Sequence, residues 1–253
     1  MGNKQRFIII SDVHGFYDEM IKALDKVDFN PEIDFLISLG DNTDRGPKPK
    51  EVIDYLVTLP NKKLIKGNHS SLLTDCILRG FPYSYDWHNG TAQTIIDLAP
   101  NAKTFNEACA VAYEGVKDFI DKMVNYFETK NYIFVHSFIP LKCNDNLPVH
   151  YTRNRQFEWN PDWRDAHFSE WEQARWVNPF DLIDRGFNRT KKVVVFGHWA
   201  TEHKWAKIEN REEFDNKARF EPYYGDGFIG LDCTTVLSNK VGVVVLEDEL
   251  IND

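Results

Sequence analysis

The sequence has few cysteines, no excess of positive charge and no long apolar run. Its four cysteines are widely spaced and form no Cys-x-x-Cys pair, which argues against a disulfide framework and a structural zinc knuckle. A formal net charge of −9 over 253 residues argues against a basic face for a nucleic-acid backbone. No stretch approaches the roughly twenty apolar residues that a membrane span needs. We therefore expect neither a nucleic-acid scaffold nor a membrane protein.

The N-terminal residues carry no recognisable targeting signal. The first apolar run begins at Phe7, which leaves no room for a signal peptide, and Arg6 stands where the N-myristoylation pattern requires Ser or Thr. Together with the isolated cysteines, these features predict a cytoplasmic protein. The alternation of apolar runs and polar turns continues from start to finish, which favours a single domain over residues 1–253.

Three short polar clusters recur about thirty residues apart, close to the length of a β-α-β unit. Each follows a run rich in Ile, Leu or Val, and they read SDVHG at 11–15, GDNTDRG at 40–46 and KGNH at 66–69. Short apolar runs before Gly, Asp or His predict buried strands. Because successive parallel strands bring their carboxyl ends to one edge of a sheet, we expect the three clusters to form one ligand site.

Apolar periodicity predicts the elements around these clusters. Buried strands are expected over 7–10, 35–39, 63–65, 132–135 and 193–196, and amphipathic helices over 17–27, between Pro49 and Pro60, and over 70–78. From about 81 to 130 the spacing turns helical, which predicts a helical insert. Near the C-terminal end, the runs at 228–231 and 241–246 predict antiparallel strands that complete a second sheet.

Six side chains with oxygen or nitrogen donors stand at or just beyond the predicted strand ends: Asp12, His14, Asp41, Asn68, His136 and His198. Taken singly, each has an ordinary alternative as a helix cap, a turn residue or a hydrogen-bonded histidine. Six such residues at matching places predict a metal site. Imidazole and oxygen donors without thiolate suit Mn, Fe or Zn better than Mg.

These motifs resemble those of the calcineurin-like metallophosphoesterases, and within them the branch of bacterial and phage Ser/Thr protein phosphatases and symmetrical diadenosine tetraphosphate hydrolases. The branch pattern is GDxHG, GDxxDRG and GNH[ED], followed by two isolated histidines. This chain has SDVHG, GDNTDRG, GNHS, His136 and His198. The resemblance implies an α/β fold in which two mixed β-sheets pack as a sandwich with helices on both outer faces.

The resemblance also implies a centre of two divalent ions, with Mn favoured. Asp12 and His14 would hold the first ion, and Asp41, which has two carboxylate oxygens, would bridge the pair. The second ion would be held by Asn68, His136 and His198. Two cations about 3.5–4 Å apart can lower the pKa of a shared water and fix it as hydroxide for in-line attack on phosphorus, so no protein nucleophile is required.

Three further motif residues would complete the reaction. Arg45 could hold phosphate oxygens through its planar fork of donors, with a surface ion pair as the alternative. His69 is placed to protonate the leaving oxygen as a general acid, with a role as a seventh metal ligand as the alternative. Asp44 would orient His69 and stabilise its charged form, or would cap a helix.

Two departures from the branch pattern concern the substrate end of the site. Ser70 replaces the acidic residue after GNH. The branch often carries a second phosphate-binding Arg in a Trp-x-Arg segment, but here Asn178 stands at that place after Trp176. Arg175 is the nearest substitute, so Arg175 and Asn178 are the predicted substrate contacts, with packing of Arg175 on an indole ring as the alternative.

The sequence thus predicts a metal-dependent phosphoric ester hydrolase. Its favoured substrate is a phosphorylated Ser or Thr side chain in a protein, and the alternative is diadenosine tetraphosphate or a related dinucleotide. A shallow open groove would favour the protein, whereas a deep pocket lined by Trp163, Trp171 or Trp176 would favour a nucleoside; the tryptophans could equally pack in the core. A non-catalytic scaffold would be expected to lack metal ligands, and none of the six is missing.

Overall fold

The computed structural model describes residues 4–143 and 155–251. Its strands are β1 (Gln5–Ser11), β2 (Phe35–Ser38), β3 (Lys62–Leu64), β4 (Tyr126–Glu128), β5 (Tyr132–Val135), β6 (Lys142–Cys143), β7 (Phe157–Glu158), β8 (Val193–Phe196), β9 (Tyr223–Gly225), β10 (Phe228–Gly230) and β11 (Gly242–Asp248).

The α-helices in these ranges are α1 (Tyr17–Lys26), α2 (Pro49–Thr58), α3 (Asn68–Arg79), α4 (Ser84–Asn89), α5 (Thr91–Leu98), α6 (Phe105–Asp121), α7 (Phe168–Ala174), α8 (Pro179–Asp184), α9 (Thr201–Glu209) and α10 (Thr235–Ser238). None of the helices so described combines the length and the apolar character that crossing a bilayer requires.

Two mixed sheets form the centre of the fold. The first has the strand order β11-β1-β2-β3 and the second the order β4-β5-β8-β10-β9, while β6 and β7 pair separately. Strands β1, β2 and β3 run parallel, as do β5, β8 and β10. Parallel strands covered on both faces are continuously apolar, which explains the unbroken runs of Ile, Leu, Val and Phe in β1, β2 and β8.

Alternate residues of each strand serve different cores, because successive side chains point to opposite faces of a sheet. Ile8 packs with the helices on the outside of the first sheet, whereas Ile9 packs against Phe134 of the second sheet. On the outside of the second sheet, Ile133 packs with Trp171. The predicted sandwich with helices on both outer faces is therefore confirmed.

One strand lies in a different sheet from the one expected. The run at 241–246 does form a strand, but β11 pairs antiparallel with β1 in the first sheet, with Gln5 opposite Asp248 and Ser11 opposite Gly242. The prediction that it completes the second sheet is wrong. Alternating burial is compatible with an edge strand in either sheet. Which of the two sheets this strand joins depends on the path of the chain between the sheets.

The helical stretch within 81–130 is shorter than its pattern suggests. The last of its helices, α6, ends at Asp121. The next element, β4, pairs antiparallel with β5. Tyr126 stacks on Trp171 with ring centroids 5.3 Å apart, while Phe127 stacks on Phe35 of the first sheet at 5.8 Å. Neighbouring rings on opposite faces are the period-two pattern of a strand, so the residues of β4, near the end of the 81–130 range, are not helical.

Candidate metal centre

The predicted metal ligands lie together where strands of both sheets end. In the first sheet Asp12 and His14 follow β1, Asp41 follows β2, and Asn68 opens α3 after β3; in the second, His136 and His198 follow β5 and β8. All are buried except His198, which is half-buried. The parallel strands therefore bring the residues of all five clusters to one edge, as the spacing predicts.

The backbone at this edge is held in an uncommon conformation. Non-glycine residues seldom adopt positive φ, and such values cluster at functional sites. Six site residues nevertheless have φ between 49° and 73°: Asp12, His14, Asp41, Asp44, Arg45 and His198. Gly67 is required for a different reason, because a Cβ there would stand 2.1 Å from Asp41 Oδ1.

Asp41 stands between two groups of potential metal ligands. One group consists of His14, Asp41 and His69, and the other of Asp41, His136 and His198, with the donor atoms of each group within 4.8 Å of one another. Asp41 Oδ2 lies 3.9 Å from His14 Nε2 and 3.4 Å from His136 Nε2. A carboxylate in this position has the geometry of the predicted bridging ligand.

Hydrogen bonds orient three histidines toward Asp41. Nδ1–H of His14 donates to the Thr43 carbonyl at 3.1 Å, and Nδ1–H of His136 donates to the Leu39 carbonyl at 2.8 Å. The His198 ring is hydrogen-bonded to the Trp176 carbonyl. A carbonyl accepts only, so Nδ1 is the protonated nitrogen in His14 and His136, and Nε2 of each ring faces the buried carboxylate. Backbone-anchored imidazoles of this kind are typical of metal ligands, and the donor set fits divalent cations.

Asp12 and Asn68 complete the centre from opposite sides. Asn68 Oδ1 lies 2.8 Å from His136 Nε2. Both oxygens of Asp12 accept from the backbone N–H of His198, at 3.0 and 3.1 Å, and Oδ2 also accepts from the Ser11 hydroxyl. The group around His14 includes His69 rather than Asp12, which gives geometric support to the alternative that His69 is itself a ligand.

Buried charges shift the carboxylates of the centre in opposite directions. Burial raises the pKa of Asp12 well above its ordinary value, and the carboxylates of Asp232 and Asp41 raise it further. Burial alone would also raise the pKa of Asp41, but the imidazoles of His136 and His69 hold it well below its ordinary value. Burial alone would lower the pKa of His136, but Asp41, together with Asp12 and the Leu39 carbonyl, raises it above its usual value. A bridging carboxylate must be ionised, and Asp41 is the carboxyl group that these surroundings keep so.

Two other imidazoles are kept neutral. Burial lowers the pKa of His14 well below its usual value, and His69 and Arg45 lower it further. Burial, reinforced by His136, lowers the pKa of His198 to about 3. Metals bind neutral imidazole, so both residues are in their ligand form at neutral pH.

A chain of hydrogen bonds runs from the centre into the helical insert. Asp44 Oδ2 accepts from His69 Nδ1–H at 2.7 Å and from the Thr91 hydroxyl at 2.7 Å. Arg45 forks between two histidines, with Nη1 3.1 Å from His14 Nε2 and Nη2 3.0 Å from His69 Nε2. Asp44 thus fixes the His69 ring so that Nε2 faces the centre.

The two predicted substrate contacts have structural partners. Arg175 is buried, pairs with Glu172, and donates from Nη2 to Asn125 Oδ1 at 2.6 Å. The Asn178 side-chain oxygen accepts from the first backbone N–H groups of α8, which makes it a helix cap. Neither observation assigns a substrate contact, and that role stays a prediction for both residues.

The tryptophans of the 159–176 segment have different surroundings. Trp163 and Trp171 are only 2% exposed and surround Tyr126 in the core outside the second sheet. The Trp176 ring instead meets the His198 ring edge to face at 6.3 Å. The core-packing alternative therefore accounts for Trp163 and Trp171.

Two residues near the centre were not singled out by sequence reasoning. Asp232, which follows β10, acts electrostatically on Asp12, and its own carboxylate accepts from the Thr234 N–H at 2.7 Å. Thr91 supports Asp44 from the insert. A signal existed for Asp232, because it follows an apolar strand as the recognised ligands do. None existed for Thr91, whose contact depends on how the insert folds back.

Comparison with known proteins identifies the chain's relatives. The family model described as calcineurin-like phosphoesterase matches residues 5–216. Over 99 residues the chain is 32% identical to serine/threonine-protein phosphatase 2 of Escherichia coli K12, a stretch covering 36% of this chain and 45% of that protein. Over 62 residues it is 45% identical to a symmetrical bis(5'-nucleosyl)-tetraphosphatase of Salmonella paratyphi B, covering 24% of this chain and 22% of that protein. The matches thus span less than half of either relative.

Among solved structures, the fold is similar to that of a candidate diadenosine tetraphosphatase. The TM-score is 0.52 at 17% sequence identity, and the match covers 96% of this chain and 94% of that one. At that level of identity the likeness concerns the fold alone.

Proposed function

The chain belongs to the calcineurin-like phosphoesterase family, and on that premise we propose that it is a phosphatase that uses two divalent metal ions to hydrolyse phosphate monoesters of Ser and Thr in proteins. The observation that carries the hydrolytic assignment is the place of Asp41 between two groups of buried donors. Beside it stand a guanidinium group, Arg45, and an imidazole–carboxylate pair, His69 and Asp44. Together they supply the functions that phosphoester hydrolysis needs.

The donors divide between two ions that share Asp41. Asp12 and His14 would hold one ion, and the other would be held by Asn68, His136 and His198. When bound, the two ions would activate a water for in-line attack and neutralise charge on the phosphoryl oxygens. Mn is the ion we favour, with Fe or Zn as alternatives, because the donors combine imidazole nitrogen with carboxylate and amide oxygen.

The remaining motif residues would handle the phosphate and the leaving group. Arg45 would bind phosphoryl oxygens through two parallel N–H donors, and to do so it would exchange its contacts with His14 and His69 for the substrate. His69 would then present a protonated Nε2 to the leaving oxygen, as a general acid. Asp44, which accepts from Nδ1–H, would hold the ring in this tautomer and stabilise its charged form.

The surroundings of the centre favour a protein substrate over a dinucleotide. A nucleoside pocket would need several aromatic surfaces facing the centre. Trp163 and Trp171 are committed to the core, and of the three predicted tryptophans Trp176 alone meets a residue of the centre. Most of the residues that line the cavity bordered by Ser70 and Arg175 carry hydroxyl, amide or charged groups, with Tyr126 and Phe168 among the others, and such a mixed lining suits a polypeptide. Hydrolysis of diadenosine tetraphosphate remains the second candidate, supported by the 45% identity to the Salmonella tetraphosphatase.

Parallel assays test the proposal. Metal-depleted protein would be reconstituted with Mn²⁺ and assayed on a phosphothreonine peptide, diadenosine tetraphosphate and p-nitrophenyl phosphate, with Asp41→Asn as the matched inactive control. We expect metal-dependent release of phosphate from the peptide, with a kcat/KM at least about tenfold above that for the dinucleotide. A reversed preference would establish the second candidate, and no turnover of any of the three with metal bound would overturn both.

A further inference from the structure

A cavity of about 780 Å³ lies between α3 and α7. Its polar lining comes from Lys66, Ser70, Ser71, Thr74, Asp75, Asn125, Glu172 and Arg175, and its apolar lining includes Phe168. Phe168 is 74% exposed. The cavity is large enough for a peptide side chain or a small polar ligand.

Several residues of the cavity wall adjoin residues of the metal centre along the chain. Lys66 precedes Asn68 by two residues, and Ser70 directly follows His69. On the opposite wall, Arg175 directly precedes Trp176, whose indole meets the His198 ring at 6.3 Å. A substrate with its phosphate at the centre can therefore place a neighbouring group in the cavity.

The cavity lining includes a positively charged group that forms no ion pair. Lys66 is half-buried, and no carboxylate within 4–143 or 155–251 comes within ion-pair distance of its ammonium group. Ser70, which also lines the cavity, adds no charge. The Ser70 hydroxyl also lacks a hydrogen-bond partner within the described ranges.

The carboxylates of Glu172 and Asp121 act electrostatically on Lys66 without forming an ion pair with it. Glu172 is occupied by Arg175 and also accepts from the Ser71 hydroxyl at 2.9 Å. Asp75 stands a helical turn beyond Ser71 along α3, away from the centre. A half-buried ammonium group without a counter-ion is a binding site for an anion, since its partial desolvation strengthens any charge pair it forms.

We propose that this cavity binds a second anionic group of the substrate, adjacent to the phosphate that is hydrolysed, with Lys66 as its charged contact and Ser70 as a hydroxyl donor. This inference rests on the proposed phosphatase function and adds to it a preference for substrates that carry negative charge beside the scissile ester. The shared chemistry is an anion, which in a phosphoprotein is either an acidic side chain or a second phosphate.

A series of phosphothreonine peptides tests the inference. The peptides differ at one position next to the phosphothreonine, which is Asp, phosphoserine, Ala or Lys, and p-nitrophenyl phosphate serves as a substrate without a second anion. We expect kcat/KM for the Asp or phosphoserine peptide to exceed that for the Ala peptide about tenfold, and the Lys peptide to be poorest. The preferred anion identifies which of the two sources the cavity takes.

Variants of Lys66 assign the preference to this residue. Lys66→Gln should reduce the ratio of kcat/KM for the anionic peptide to kcat/KM for the Ala peptide to a value between about 1 and 2. Lys66→Arg should retain most of the wild-type ratio. Lys63→Gln is the matched control, because Lys63 lies on the neighbouring strand β3 and outside the cavity lining, and its ratio should equal that of the wild type.

Two results would separate failure of this inference from failure of the proposed function. Equal turnover of all four peptides by the wild type, or an unchanged ratio in Lys66→Gln, would overturn the anionic subsite and leave the phosphatase intact. Absence of turnover for every peptide and for p-nitrophenyl phosphate would overturn the phosphatase function itself.

Discussion

The two sides of the metal centre are built differently. The first side comprises the loops after β1, β2 and β3, at residues 11–16, 40–46 and 67–69; the second comprises the histidines after β5 and β8 and the adjoining residues 175–178. Five of the six site residues with positive φ belong to the first side, and only His198 belongs to the second. The first side also contains the whole Asp44–His69–Arg45 network.

Hydrogen bonds between the first two loops explain how the first side sustains this conformation. His14 N–H donates to the Asp41 carbonyl at 2.8 Å, Gly15 N–H to that of Asn42 at 2.9 Å, and Gly46 N–H to that of His14 at 2.8 Å. A left-handed non-glycine residue costs about 1–2 kcal/mol, and several such residues in adjacent loops need mutual support. On the proposed function, the first side would hold the reacting groups, while the second would add metal ligands and one wall of the cavity, which includes Arg175.

The strongest test of the comparison is a substitution at the residue that both sides share. Asp41→Asn removes the charge of the bridging carboxylate, so we expect both ions to be lost and kcat to fall by at least about a thousandfold. Metal content by mass spectrometry and turnover of p-nitrophenyl phosphate measure the two effects. His198→Asn should instead reduce occupancy mainly on the second side.

If Asp41→Asn retained both ions at wild-type stoichiometry, Asp41 would not be the bridge. If His14→Asn and His198→Asn depleted the same ion, the division of the centre into two sides would have no functional meaning.

A substitution confined to the first side separates acid catalysis from metal binding. His69→Asn should lower kcat by about 10²–10³, the usual range for loss of a general acid, while the protein keeps two ions. His69 is within ligand distance of His14 and Asp41, so metal content must be measured on the same sample. Loss of an ion in this variant would make His69 a ligand and disprove the acid role.

The first side was also the more predictable from sequence. Its residues lie in short motifs directly after parallel strands, and strand order there follows chain order, so local patterns determine which residues meet. The second side depends on pairing between distant segments, such as β5 with β8. The sheet joined by β11, and the burial of Trp163 and Trp171, likewise depend on contacts far apart in the chain.

The sequence pattern also could not reveal how the insert contacts the loop that carries Asp44 and Arg45. Gly90, at the start of α5, lies so close to the Arg45 backbone that a Cβ would stand 2.4 Å from its nitrogen. That approach places Thr91 against Asp44. Periodicity predicts a helix, but it does not predict which loop the helix end will contact.

Thr91 is therefore a positioning residue whose removal should have a moderate effect on the first side. Thr91→Val deletes the hydroxyl that donates to Asp44 Oδ2, and we expect kcat to fall about five- to tenfold with little change in KM. Thr91→Ser, which keeps the hydroxyl, should recover most of the loss. An equal loss in both variants would point to packing rather than to the hydrogen bond.

The smallest expected effect on turnover comes from replacing Glu202, a buried carboxylate. It lies in α9, which begins three residues after His198 of the second side. Glu202 is fully buried and accepts from Arg211, from the Phe214 N–H at 3.1 Å and from the Arg219 N–H at 2.7 Å. Burial alone would raise its pKa, but Arg211 and these amides lower it. Glu202 thus ties residues 211–219 to α9 without touching the centre.

Because the pKa of Glu202 is lower in the folded than in the unfolded protein, its carboxylate contributes its full stabilisation above the unfolded pKa of about 4.3. That contribution is lost as the pH falls through the folded pKa. Glu202→Gln should therefore reduce the free energy of unfolding by about 2–3 kcal/mol at pH 6–7, and the difference from wild type should shrink below about pH 4. Glu212→Gln, an exposed control, should change it by less than about 0.5 kcal/mol. Urea unfolding across this pH range measures the change in stability. Turnover by Glu202→Gln at 25 °C should stay within about twofold of wild type, because the proposed reacting groups lie on the first side. A tenfold loss of turnover in the folded variant would disprove that separation.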